Sequence, residues 1–144
     1  MTTEDGLSLV VFSGGYDRVH YALAIAAAAA ATGRRVNLLV AGGGLRALLA
    51  EDGDGRPGWH RLDPSDDGTS PADRDHNLGK RGIATMEELL GACAALGVHV
   101  TACEMGLRAF DLPINSRLRD DIKAKIGGIV GFLALTSKGT IMFV

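Results

Sequence analysis

The chain has little cysteine, little proline, few aromatics and almost no net charge, and each shortage excludes something. Two cysteines stand in 144 residues, Cys93 and Cys103, with no CxxC pair between them. That excludes a disulfide framework and a cysteine-built structural zinc site, and a reducing cytoplasm fits such usage. A formal net charge of −2 offers nucleic acid or an anionic membrane no electrostatic footprint. Long apolar runs are missing as well. The best candidates, residues 21–31 and 126–135, fall well short of the ~20 residues that span a bilayer, so buried helices and no membrane span are expected. The opening Met-Thr-Thr-Glu-Asp-Gly is polar and acidic, unlike a secretory signal.

What is present is a large apolar share, 47% of the residues. A single domain of this length buries about 68–70% of its unfolded surface and needs no staple. Residues 7–12 (Leu-Ser-Leu-Val-Val-Phe) have the length and apolarity of a parallel strand covered on both faces. Ser13-Gly14-Gly15 breaks that run, and an alanine-rich helix over residues 16–32 follows, stopped by Gly33. A second strand at residues 36–40 closes a β-α-β unit. Gly42-Gly43-Gly44 and a short helix at residues 45–50 come next. Gly14, Gly15 and Gly43 are candidate anion-binding turns, because glycines at strand ends let a backbone approach a phosphate. The GxGxxG and GxxxxGK[ST] patterns are absent, which favours plain strand-to-helix turns.

Residues 51–80 form a compositional break, with eight acidic residues against four basic ones and three of the four prolines. This pattern predicts a long, acidic, mobile loop insertion without regular structure over most of its length. His60 and His76 lie there at no metal-ligand spacing, so no metal is expected. Trp59 and Leu62 are its bulky apolar anchors, suited to docking on the surface or on a partner.

Order returns at residues 85–97. Thr85 and Glu88 make a capping box, and Met86, Leu89, Leu90, Cys93, Ala94 and Leu96 form an apolar stripe at helical spacing. Cys93 on that stripe reads equally as core packing or as a redox residue. Residues 98–102 alternate as a third strand, with Val98, Val100 and Ala102 on one side and His99 and Thr101 on the other. Cys103 stands at the junction with a short helix over residues 104–110, which Asp111-Leu112-Pro113 ends. At the carboxyl end of a strand, before a helix start, a thiol is biased toward thiolate, the nucleophilic form. Glu104 would oppose this by pointing inward and is expected to point outward. A fourth strand is predicted at residues 122–126, a helix at 129–137 and a last strand at 140–144. The alternation predicts a three-layer α/β/α sandwich with a mostly parallel five-stranded sheet.

Taken in order, these segments resemble the DsrE/DsrF-like family, and within it the DsrE2-type sulfur-carrier branch. The resemblance rests on Phe12-Ser13-Gly14 with the alanine-rich helix, the run from Ala84 to Leu90, the run from Val98 to Met105 centred on Ala102-Cys103-Glu104-Met105, and Gly127-Gly128-Ile129-Val130. It implies a cytoplasmic homo-oligomer, commonly a trimer, that relays sulfur without a bound cofactor. A cysteine accepts sulfane sulfur as a persulfide from a rhodanese-like donor and passes it to a TusA-like carrier. The matching position here is Cys103, and Cys93 matches a second cysteine of some members. The acidic stretch and the lack of a basic docking patch depart from the pattern. Two other functions remain open from the residues: a nucleotide- or anion-binding module built on the glycine turns, and a non-catalytic scaffold in which both cysteines only pack.

Overall fold

The computed structural model describes residues 6–109, 117–136 and 138–144. Five strands form one sheet in the order β4-β3-β2-β1-β5: β1 (Leu7–Val11), β2 (Val36–Val40), β3 (His99–Cys103), β4 (Lys125–Gly127) and β5 (Thr140–Phe143). All four pairings are parallel. Helices α1 (Tyr16–Ala31), α2 (Pro71–Lys80), α3 (Met86–Ala95), α4 (Glu104–Ala109) and α5 (Ile129–Leu135) flank it, giving the expected three-layer α/β/α sandwich. No described helix is long and apolar enough to cross a membrane.

Strand alternation divides the sheet into two unlike faces. Leu7, Leu9 and Val11 pair in register with Val36, Leu38 and Val40, and these join Val100 and Ala102 in the main core. Helices α1 and α3 cover this face. Each connects neighbouring strands in the same direction along the sheet, so right-handed crossovers place both on one side. The return from β4 to β5 runs the other way, which puts α5 on the opposite face. There the parallel rows are His99-Asn37-Ser8-Ile141 and Lys125-Thr101-Leu39-Val10-Phe143. Cys103 stands two residues beyond Thr101, on that same face.

Several boundaries fall elsewhere than the sequence suggests. The residues after β2 form a 3₁₀ turn over Gly42–Leu48 rather than an α-helix from residue 45. Before β4, a 3₁₀ turn at Asp120–Ile122 and a left-handed Lys123 (φ 55°) displace the strand to Lys125–Gly127. The predicted helix end at Asp111-Leu112-Pro113 lies outside the described residues.

Residues 51–80 hold more regular structure than their composition suggests, although just over half of them still lie outside it. They contain a 3₁₀ turn at Gly58–Arg61 and the ten-residue α2. Pro71 does not break α2; it occupies the first turn, where its missing N–H costs nothing and its fixed φ suits the helix. Ser70 caps it by accepting from the Asp73 N–H at 3.2 Å. Trp59 and Leu62 are buried in the main core rather than held for a partner.

Beneath α2, the buried Asp75 carboxylate accepts from the Tyr16 hydroxyl at 2.5 Å and from the Met86 N–H at 2.7 Å. This ties α2 to α1 and to the start of α3. Burial, then Asp75 itself, pushes the Tyr16 hydroxyl far above its ordinary range, so Tyr16 remains a donor. The capping box of Thr85 and Glu88 is formed as the sequence requires.

A second polar knot joins α3 to the segment before β4. Arg119 donates to both carboxylate oxygens of Glu87, at 2.8 and 2.6 Å, and to both of Asp121 at 2.8 Å. The Trp59 indole N–H adds a bond to Glu87 at 2.7 Å. Hydrogen bonding from Arg119 is the main cause that holds the Glu87 and Asp121 carboxyls below their ordinary values. Folded-state pKa values that are depressed give stability present above the unfolded pKa, about 4.3 for Glu, and lost as pH falls through the folded value. Arg119→Ala is therefore expected to cost about 1 kcal/mol at pH 7, modest because Glu87 is half exposed. Urea unfolding at descending pH should show wild type and variant converging below the ordinary carboxylate range. A gap that persists there would assign the loss to packing instead.

Candidate functional site

Cys103 is the last residue of β3, with α4 beginning at the next position. The sequence places it just past a strand over residues 98–102, at the junction with the following helix. The structure places it under α5, only 2% exposed. It belongs to a small apolar cluster with Leu39 and Phe132, against which Val10 and Ala41 pack. Phe132 is also 2% exposed and is the only buried residue of α5. The geometry thus puts a free thiol beneath one aromatic ring, outside the main core. Glu104 does not face it: its carboxylate pairs with Arg108 one turn on, at 2.8 Å and on the surface.

Cys93 lies elsewhere. It is buried in the main core on the inner side of α3, where Met86, Leu89 and Leu90 are buried too, while Ala94 and Leu96 at the end of the stripe are exposed. Its thiol lies 3.8 Å from the Leu23 carbonyl oxygen. Burial pushes that thiol up to about 11, which disfavours thiolate at neutral pH. Both cysteines are free. They sit in different clusters, Cys93 in the α1/α3 layer and Cys103 under α5.

The glycine turns are brought together, but against each other. A Cβ on Gly43 would stand 2.7 Å from the Gly14 Cα, and one on Gly14 would stand 3.0 Å from the Gly43 Cα. Over this contact lies Arg46, which donates to the carbonyls of Gly43 (3.0 Å), Arg61 (2.6 Å) and Gly14 (3.3 Å), and to the Asp63 carboxylate at 3.3 Å. The Gly15 N–H bonds the Ser13 hydroxyl at 3.0 Å. Close approach of two chain segments accounts for Gly14 and Gly43 without a ligand. An Arg at this offset was the available signal for it, since a guanidinium seeks carbonyl oxygens where two turns meet.

Among the described residues, no three His, Cys, Asp or Glu side chains gather into a metal site. An open cleft of about 720 Å³ has Glu51, Asp52, Glu87, Arg119, Asp120 and Asp121 in its wall, and Cys103 is not part of its lining. Arg119 is already committed there to Glu87 and Asp121.

The arrangement of strands and helices matches a solved structure, the crystal structure of the ychN protein from E. coli. The likeness has a TM-score of 0.57 and covers 96% of this chain and 99% of that one, at 14% sequence identity. The fold is DsrE-like. No protein-family model matches the chain, and no curated protein matches it. At that identity the likeness speaks for the fold alone. Within this fold the residues singled out from the sequence are a free cysteine at the carboxyl end of β3, a second one sealed in the main core, and two glycine turns closed on each other.

Proposed function

We propose that the protein is a sulfur-relay carrier in which Cys103 holds sulfane sulfur as a persulfide and passes it to a partner. The observation that carries this reading is the placement of Cys103 at the carboxyl end of β3, in a DsrE-like fold. A strand end of this kind is where α/β proteins set their chemistry. In the loading step the Cys103 thiolate attacks the outer sulfur of a sulfane donor. A Cys103 S–S bond forms, and the donor leaves as sulfite from thiosulfate or as glutathione from its persulfide. Transfer onward reverses the roles, with an acceptor thiolate taking the outer sulfur and Cys103 leaving as thiolate. The fitting partners are a rhodanese-like donor and a TusA-like acceptor, acting in the cytoplasm. Cys93 has no part in the transfer, because its thiol is packed in the main core.

The same reading makes the protein a homo-oligomer, a trimer by the resemblance of its sequence. Support comes from the exposed apolar edge at β5, where Phe143 is 72% exposed and stacks on the exposed Phe12 at 5.8 Å, beside Ile141. Contiguous apolar surface of this kind marks association sites.

Intact mass after incubation with thiosulfate or glutathione persulfide tests the carrier. Wild type and Cys93→Ser are expected to gain one sulfur, about 32 Da per persulfide, and Cys103→Ser none. Full loading of Cys103→Ser overturns the assignment, as does no loading of any variant. Native mass spectrometry of the same samples is expected to show the oligomer, and a monomer throughout would remove that part.

A further inference from the structure

We propose that α5 is a lid that seals Cys103 under Phe132 and opens locally while the main core stays closed. The two faces of the sheet are covered unequally: α1 and α3 pack one face, and among the described residues α5 alone crosses the other above Leu39 and Cys103. Its hold there is slight. Of its seven residues only Phe132 is buried; the other six are exposed, Val130 by 84%. None of the seven carries a polar side chain, so packing of one ring is what fastens the helix to the sheet. Helices shorter than ~12–15 residues are marginal without tertiary support. At its start, Gly128 holds the N-cap position without a side-chain cap, with open space where its Cβ would stand.

A segment with few buried contacts opens at lower free energy than the core beneath it. Opening of α5 bares Cys103, whereas Cys93, packed between α1 and α3, is reached only when the main core separates. The chain therefore contains its own control. The lid regulates access to the residue assigned to sulfur transfer and rests on that reading only for its purpose. Alkylation reads the opening itself, so its failure is distinguishable from a failure to load sulfur.

The experiment is a time course of the native full chain with iodoacetamide. Each thiolate forms a C–S bond, iodide leaves, and the proton goes to buffer; peptide mapping separates the two sites. Cys103 is expected to react at least ~100-fold faster than Cys93, yet well below the rate of the same cysteine in urea-unfolded chain. Phe132→Ala is expected to accelerate Cys103 by ~10-fold or more with little change at Cys93. Equal rates at the two sites would mean that only global unfolding exposes Cys103, and would overturn the lid. Reaction of Cys103 at the unfolded rate would overturn it too, since nothing would then cover the thiol. Equal acceleration of both sites by Phe132→Ala has the same force. The wild-type comparison stands whether or not that variant folds.

Discussion

Asp75→Ala is expected to destabilise the protein by about 3–5 kcal/mol, a large share of the 5–15 kcal/mol typical of a folded domain. Asp75 is 7% exposed and is the shared acceptor for a fully buried Tyr16 hydroxyl and for the Met86 N–H at the first turn of α3. Removing it leaves two donors with no partner, each costing about 1–3 kcal/mol. It also removes a carboxylate from a helix N-terminus, where negative charge is favoured. Tyr16→Phe deletes one bond while leaving Asp75 its bond to Met86, so a smaller loss, about 1–2 kcal/mol, is expected. Urea unfolding followed by fluorescence of the single tryptophan, Trp59, measures both, and Trp59 packs within 6.2 Å of the Tyr16 ring, centroid to centroid. A loss under 1 kcal/mol for Asp75→Ala would show that α2 is not fastened through this carboxylate.

Gly43→Ala is expected to cost about 2–3 kcal/mol in the ligand-free protein, as overpacking of a closed contact does. The added Cβ would lie 2.7 Å from the Gly14 Cα and 2.9 Å from the Arg46 guanidinium. The arginine tip can give way, but the backbone at Gly14 cannot do so without moving the end of β1. The prediction separates two accounts of these glycines. If the turns close on each other, stability falls with no ligand present. If they instead hold an anion, Gly43→Ala leaves the unliganded melting temperature unchanged and abolishes the shift produced by phosphate or a nucleotide. Thermal melts with and without those ligands decide between them.

Elements of this fold are legible in the sequence to the extent that what determines them is local. The strands β1, β2, β3 and β5 and the helices α1, α3, α4 and α5 are readable from the sequence because their signals sit within a few residues. The apolar runs that became β1 and β2, the alternation from Val98 to Ala102, and the Thr85–Glu88 box are all short-range patterns. The same rule explains α2. Its Ser70-Pro71 start is ambiguous in sequence, because Pro both breaks helices and opens them, and the remaining residues show almost no apolar face. What holds α2 is a buried carboxylate 59 residues from its tyrosine partner, and no window of sequence contains both.

The candidate site divides in the same way. The sequence by itself determined that a free cysteine stands at a strand-to-helix boundary in an α/β sandwich, since strand length, alternation and the break after Cys103 are properties of adjacent residues. Only the tertiary structure decided what that cysteine meets. Which face of β3 the side chain takes follows from alternation, but what covers that face depends on the return crossover from β4 to β5, which lays Phe132 over Cys103 from 29 positions away in the chain. The glycine turns and Arg46 are the parallel case: backbone freedom is written in the residue type, whereas the neighbour that uses it is fixed by the pairing of β1 with β2. Local sequence sets what a residue is able to do, and packing between distant segments sets what reaches it.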